Sequence, residues 1–108
     1  MYRIATTSLL DTAAEASLSE HVEKVGEFPP SDGMIFGKDG NLYMTSLEEN
    51  AIRVFREGET ESELVTKNDD LKWPDSFAVG PDGTLYVTTS QIHIPKPTEP
   101  YKIFKLTL

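Results

Sequence analysis

Phe36-Gly37-Lys38-Asp39-Gly40-Asn41-Leu42-Tyr43-Met44-Thr45-Ser46 returns, without gaps, 43 residues later as Val79-Gly80-Pro81-Asp82-Gly83-Thr84-Leu85-Tyr86-Val87-Thr88-Thr89. Asp32 and Asp75, just upstream, keep the same offset. A repeat of ~40–50 residues holding several short strands is the period of propeller blades. Asp-Gly inside each copy supplies the positive φ angle that a tight hairpin turn needs.

Working outward, each copy reads as an antiparallel meander. In the first, Gly33 to Phe36 is an apolar strand, Lys38 to Asn41 a turn and Leu42 to Thr45 the second strand. Ala51 to Arg56 follows as the third strand, and Ser62 to Thr66 as a polar outer edge. The second copy gives Ser76 to Val79, Leu85 to Thr89 and Lys102 to Leu106. Pro95, Pro97 and Pro100 make Gln91 to Pro100 a loop. Upstream, Leu10, Ala14, Leu18, Val22 and Val25 recur at helical spacing, so Ser8 to Val25 reads as helix. Ser17 to Glu20 fits a capping box and splits that stretch into two short helices. Tyr2 to Ala5 is one further strand. The expected fold is mostly β: residues 29–70 and 71–108 form two four-stranded antiparallel blades of a six-bladed propeller. Residues 1–7 supply a strand of a preceding blade, and residues 8–28 a helical insertion.

Eighteen acidic against 10 basic residues give a net charge of −8, which opposes binding to nucleic acid or to anionic membranes. A cationic or neutral small ligand is compatible with it. The absence of cysteine excludes disulfides, thiolate metal sites and a cysteine nucleophile. No apolar run approaches the ~20 residues of a membrane span. Met1 to Ile4 is followed by no signal-peptide core before Asp11, so the default expectation is a cytoplasmic location.

The motif order carries a resemblance. Pro30-Ser31-Asp32-Gly33-Met34, then Asp39-Gly40-Asn41-Leu42-Tyr43 and Glu49-Asn50-Ala51-Ile52, resemble the yellow/major royal jelly protein family. Lys72-Trp73-Pro74-Asp75-Ser76-Phe77 with Asp82 to Thr88 is similar to the last blade of that family, including its bacterial dopachrome-tautomerase-related members. The resemblance covers nearly the whole chain. It implies a six-bladed propeller that binds small molecules, some of them biogenic amines, without a demonstrated enzymatic activity. More distantly, Pro30 to Tyr43 is similar to the gluconolactonase/regucalcin group, metal-dependent lactone hydrolases. That second resemblance would make Asp32 one ligand of a divalent cation such as calcium, with the other ligands on earlier blades.

The candidate ligand-binding residues are Asp32, Asp75, Ser76 and His93; no catalytic residue can be named. Asp32 and Asp75 are expected at the same end of equivalent inner strands, facing a channel mouth. They read either as ligand carboxylates or as acceptors for turn amides. Asp39 and Asp82 read as turn chemistry, and His21 as a solvated helix residue. His93 sits in the proline-rich loop near the same mouth. Tyr43, Tyr86, Phe36, Phe55 and Phe77 read as packing residues, and Trp73 as a wedge between blades. Non-enzymatic ligand binding leads; a lactone hydrolase and a gene fragment without independent function are the alternatives. Two blades cannot close alone, so a homo-oligomer is expected, either a trimer completing six blades or a domain-swapped dimer. In the trimer, Tyr2 to Ala5 would complete a neighbour's last blade.

Overall fold

The computed structural model describes residues 1–107, leaving aside the side chains of Ala14 and Glu15. The chain is mostly β, with three antiparallel sheets and a few short helices. Strand β1 (Tyr2–Arg3) leads into helix α1 (Thr6–Leu10) and a 3-10 helix (Thr12–His21), and β2 (Glu23–Lys24) returns to pair with β1. A four-stranded meander follows: β3 (Met34–Phe36), β4 (Leu42–Ser46), β5 (Ala51–Phe55) and β6 (Glu63–Lys67). The last sheet has three strands: β7 (Pro74–Val79), β8 (Leu85–Thr89) and β9 (Ile103–Leu106). The strands expected from 33 onward are thus found within one or two residues of their expected ends. The second large sheet has three strands among the described residues, the three that its copy of the repeat supplies; no other described strand of this chain completes it to four.

The two hairpin turns make the same bonds 43 residues apart. Gly37 N–H donates to Asn41 O at 2.9 Å and Gly80 N–H to Thr84 O at 2.8 Å. Gly40 and Gly83 sit at φ 80° and 88°, where a side chain would be strained. The aspartates close each turn from within: Asp39 Oδ1 accepts from Asn41 N–H at 3.2 Å, and Asp82 Oδ1 from Thr84 N–H at 3.1 Å. Both aspartates therefore serve the turn, as expected.

The core lies between the two large sheets. Along the first, Ile35 pairs with Tyr43 and Tyr43 with Val54, so these share one face, and Ile52 lies on it too. Along the second, Phe77, Val87 and Phe104 are in register, as are Val79, Leu85 and Leu106. These two faces meet, with Leu71 of the connecting segment closed into the same cluster. Complete burial of Ile52, Leu85 and Val87 is the main apolar stabilisation, since each such side chain contributes about 1.5–3 kcal/mol. Gly33 is where the inner strands touch: a Cβ there would lie 2.1 Å from Asp75 O, so only glycine lets β3 approach β7.

The amino-terminal region departs from expectation. Helix does not persist to Val25; Glu23–Lys24 is a strand, and the break between the two helices falls at Asp11, not Ser17. Asp11 Oδ1 caps the 3-10 helix by accepting from Ala13 N–H at 3.0 Å. Of the expected apolar stripe, Leu10 and Val22 are exposed while Leu18 and Val25 are half-buried; the Ala14 side chain lies outside the described set. Tyr2–Arg3 is not an unpaired leading strand, because β2 already occupies one of its edges and the Met1 amine donates to Gly26 O at 2.7 Å. Spacing alone cannot separate a helix from a ribbon when polar residues such as Glu20, Glu23 and Lys24 fill the gaps. The ribbon is fixed against the face of the four-stranded sheet that carries Phe36, Leu42 and Phe55. Phe28 meets Phe55 edge to face at 5.4 Å, Arg3 pairs with Glu57 at 3.0 Å, and Met1, Arg3 and Val25 line one cavity with Phe36 and Leu42.

Candidate functional site

The segments entering β3 and β7 lie side by side at one end of the two sheets. On the β3 side, Thr45 Oγ1 accepts from Asp32 N–H and Gly33 N–H, both at 3.1 Å, so the bend is held by a threonine of the neighbouring strand. The same bond returns 43 residues later, from Ser76 N–H to Thr88 Oγ1 at 3.3 Å. The Asp32 carboxylate is therefore spared the turn role that the sequence allowed it. Instead, its Oδ2 accepts the Trp73 indole N–H at 2.5 Å.

Trp73 in turn lies against His93, with ring centroids 5.1 Å apart and planes at 20°. Its backbone is strained: φ is 47° for a bulky residue directly before proline, in a region that ordinary side chains avoid. Such strain persists only where the surroundings impose it. Here Trp73 O accepts from Ser90 N–H at 3.1 Å, which ties the residue to the start of the 91–100 loop.

That loop is pinned at both ends. Gln91 is buried, sits at φ 56°, and its amide donates to Pro100 O at 3.0 Å. Glu99 receives Lys72 at 2.7 Å and Lys102 at 3.2 Å, and the Lys72 bond first, then that of Lys102, holds its carboxyl below the usual range. His93 is thus carried on an exposed loop whose base is ordered.

Asp75, on β7, places its carbonyl against Gly33 and its Oδ1 within 3.2 Å of Ser76 Oγ, which donates to it. Of the residues singled out in the sequence, the structure links Asp32 and His93 through Trp73. Asp75 and Ser76 stand on the adjoining strand at the same end. Trp73 itself was read only as a wedge. Its signal was present: it precedes Asp75 by two residues, as Pro30 precedes Asp32, and so belongs at the same end.

A calcium ion asks for about six to eight oxygen ligands. Among the described residues no three histidine or carboxylate groups converge, and one oxygen of Asp32 is already engaged by an indole N–H. The residues present do not make a divalent-cation site. Chemically, the arrangement offers two carboxylates, a hydroxyl, an indole face and an imidazole, partly open to solvent.

Neither any protein-family model nor any curated protein sequence matches this chain.

Proposed function

We propose that the two larger sheets are consecutive blades of a six-bladed β-propeller of the yellow/major royal jelly type, and that this protein binds a small cationic amine without transforming it. The observation that carries the reading is the Asp32–Trp73–His93 chain of contacts beside Asp75. An ammonium group is attracted both to a carboxylate and to the face of an indole, the latter contributing about 0.5–2 kcal/mol. The 43-residue equivalence of turns and strand registers supports the blade assignment, as does the stacking of the two sheets face to face. Metal-dependent lactone hydrolysis finds no support in the ligand set that this chain supplies.

Calorimetric titration tests the function. Aromatic primary amines such as 2-phenylethylamine should give saturable heats with the wild-type chain, and Asp32→Asn should weaken binding about tenfold. Calcium and sugar lactones, titrated in parallel, should give no heat. Lactone turnover that depends on calcium would overturn the reading in favour of the hydrolase.

A further inference from the structure

The core between the large sheets joins two unlike faces. The four-stranded sheet contributes the face of Ile35, Tyr43 and Ile52, and the three-stranded sheet that of Phe77, Leu85 and Val87. Displaced by 43 residues, Ile35, Tyr43 and Thr45 become Ala78, Tyr86 and Thr88, all on the opposite, open face of the three-stranded sheet. Likewise Met34, Phe36, Leu42 and Met44, on the far face of the four-stranded sheet, correspond to Phe77, Val79, Leu85 and Val87. The two faces left over are therefore the same unlike pair that already packs inside the molecule.

Both leftover faces expose apolar side chains. Met34 and Phe36 are 58% and 67% accessible, and Tyr86 and Ile103 are 37% and 72% accessible. The amino-terminal segment covers part of the first face: Phe28 lies on Phe55, and Met1, Tyr2 and Arg3 border Met34, Phe36 and Met44. Met44 is buried, while Met34 and Phe36 keep more than half of their surface open.

We propose that a second copy of this chain docks here, its β7–β8 face covering the open parts of Met34 and Phe36 beside the ribbon, so that the contact pairs the same two kinds of face as the internal interface. The contact is heterologous, because each copy uses a different surface at its two ends. It needs no shared strand, which accords with the pairing of Tyr2–Arg3 within its own chain. A net charge of −8 opposes association at low ionic strength, so added salt should strengthen it.

Sedimentation equilibrium on the full chain tests this through two substitutions at exposed positions, Phe36→Glu and Tyr86→Glu. The wild type should sediment above the single-chain mass of 12.0 kDa. Each variant alone should lose association at least tenfold. An equimolar mixture of the two should form a one-to-one dimer and nothing larger, because it restores one interface and leaves both outer ends blocked. A monomeric wild type would overturn the proposal, as would loss of association in only one variant, which marks a symmetric contact. Met34→Glu and Ile103→Glu, on the same two faces, repeat the test if circular dichroism finds either first variant unfolded.

Discussion

The four-stranded and three-stranded sheets share turns, registers and even the threonine that holds the entering bend, yet they differ in what their equivalent residues touch. Tyr43 is 5% accessible and its hydroxyl donates to Asp39 Oδ2 at 2.8 Å. Tyr86, 43 residues on, is 37% accessible. Gly33 presses on the backbone of Asp75, whereas its counterpart Ser76 stands exposed. Local structure follows from the repeated residues, while burial follows from whether another sheet lies alongside. The same sequence position is core in one sheet and surface in the other.

The sharpest way to break that comparison is at the inner strands. Gly33→Ser puts a Cβ into the Asp75 carbonyl and should destabilise the chain by roughly 3 kcal/mol, as overpacking against immovable backbone does. Ser76→Ala should stay within about 0.5 kcal/mol, as surface changes do. Urea unfolding of the two variants decides it. Equal effects would mean that the two strands are not differently placed at all.

A smaller effect is expected at the paired tyrosines. Burial first, and then the bond to Asp39, push the Tyr43 hydroxyl up to about 12 from its ordinary 10. Burial likewise pushes the Asp39 carboxyl up, but the bonds from Tyr43 and Asn41 outweigh it and leave that carboxyl below its ordinary value. A tyrosine pKa raised on folding gives stability that is complete below pH 10 and lost as pH rises toward 12. Tyr43→Phe should cost about 1 kcal/mol at neutral pH and flatten that alkaline loss. Tyr86→Phe, at the more exposed tyrosine, should stay within about 0.5 kcal/mol at neutral pH. A pH profile unaltered by Tyr43→Phe would place the alkaline transition elsewhere.

What was legible in the sequence follows the same division. Asp39-Gly40 and Asp82-Gly83 announced their turns because a positive φ and an Asx bond are local requirements, met by a few consecutive residues. The placement of Asp32 and Asp75 at one end of adjoining strands was legible through their offset. Phe36 was not: alternation puts it on a sheet face, but nothing local says that this face has only a short ribbon beside it. The ribbon of β1 and β2 escaped because Glu23 and Lys24 carry no strand signal apart from their partners Arg3 and Tyr2, far upstream. The role of Trp73 escaped because its contacts, to Asp32 and His93, are made across the fold.

Trp73 is the sole tryptophan of the chain, so its emission reports directly on the proposed ligand end. Titrating 2-phenylethylamine under tryptophan-selective excitation should give a saturable change in emission in the wild type. The change should be displaced to about tenfold higher amine concentration in Asp32→Asn and reduced in amplitude in His93→Ala, which removes the ring stacked on the indole. An emission that ignores the amine, or one that responds identically in wild type and Asp32→Asn, would contradict the assignment of this end of the sheets as an amine-binding site.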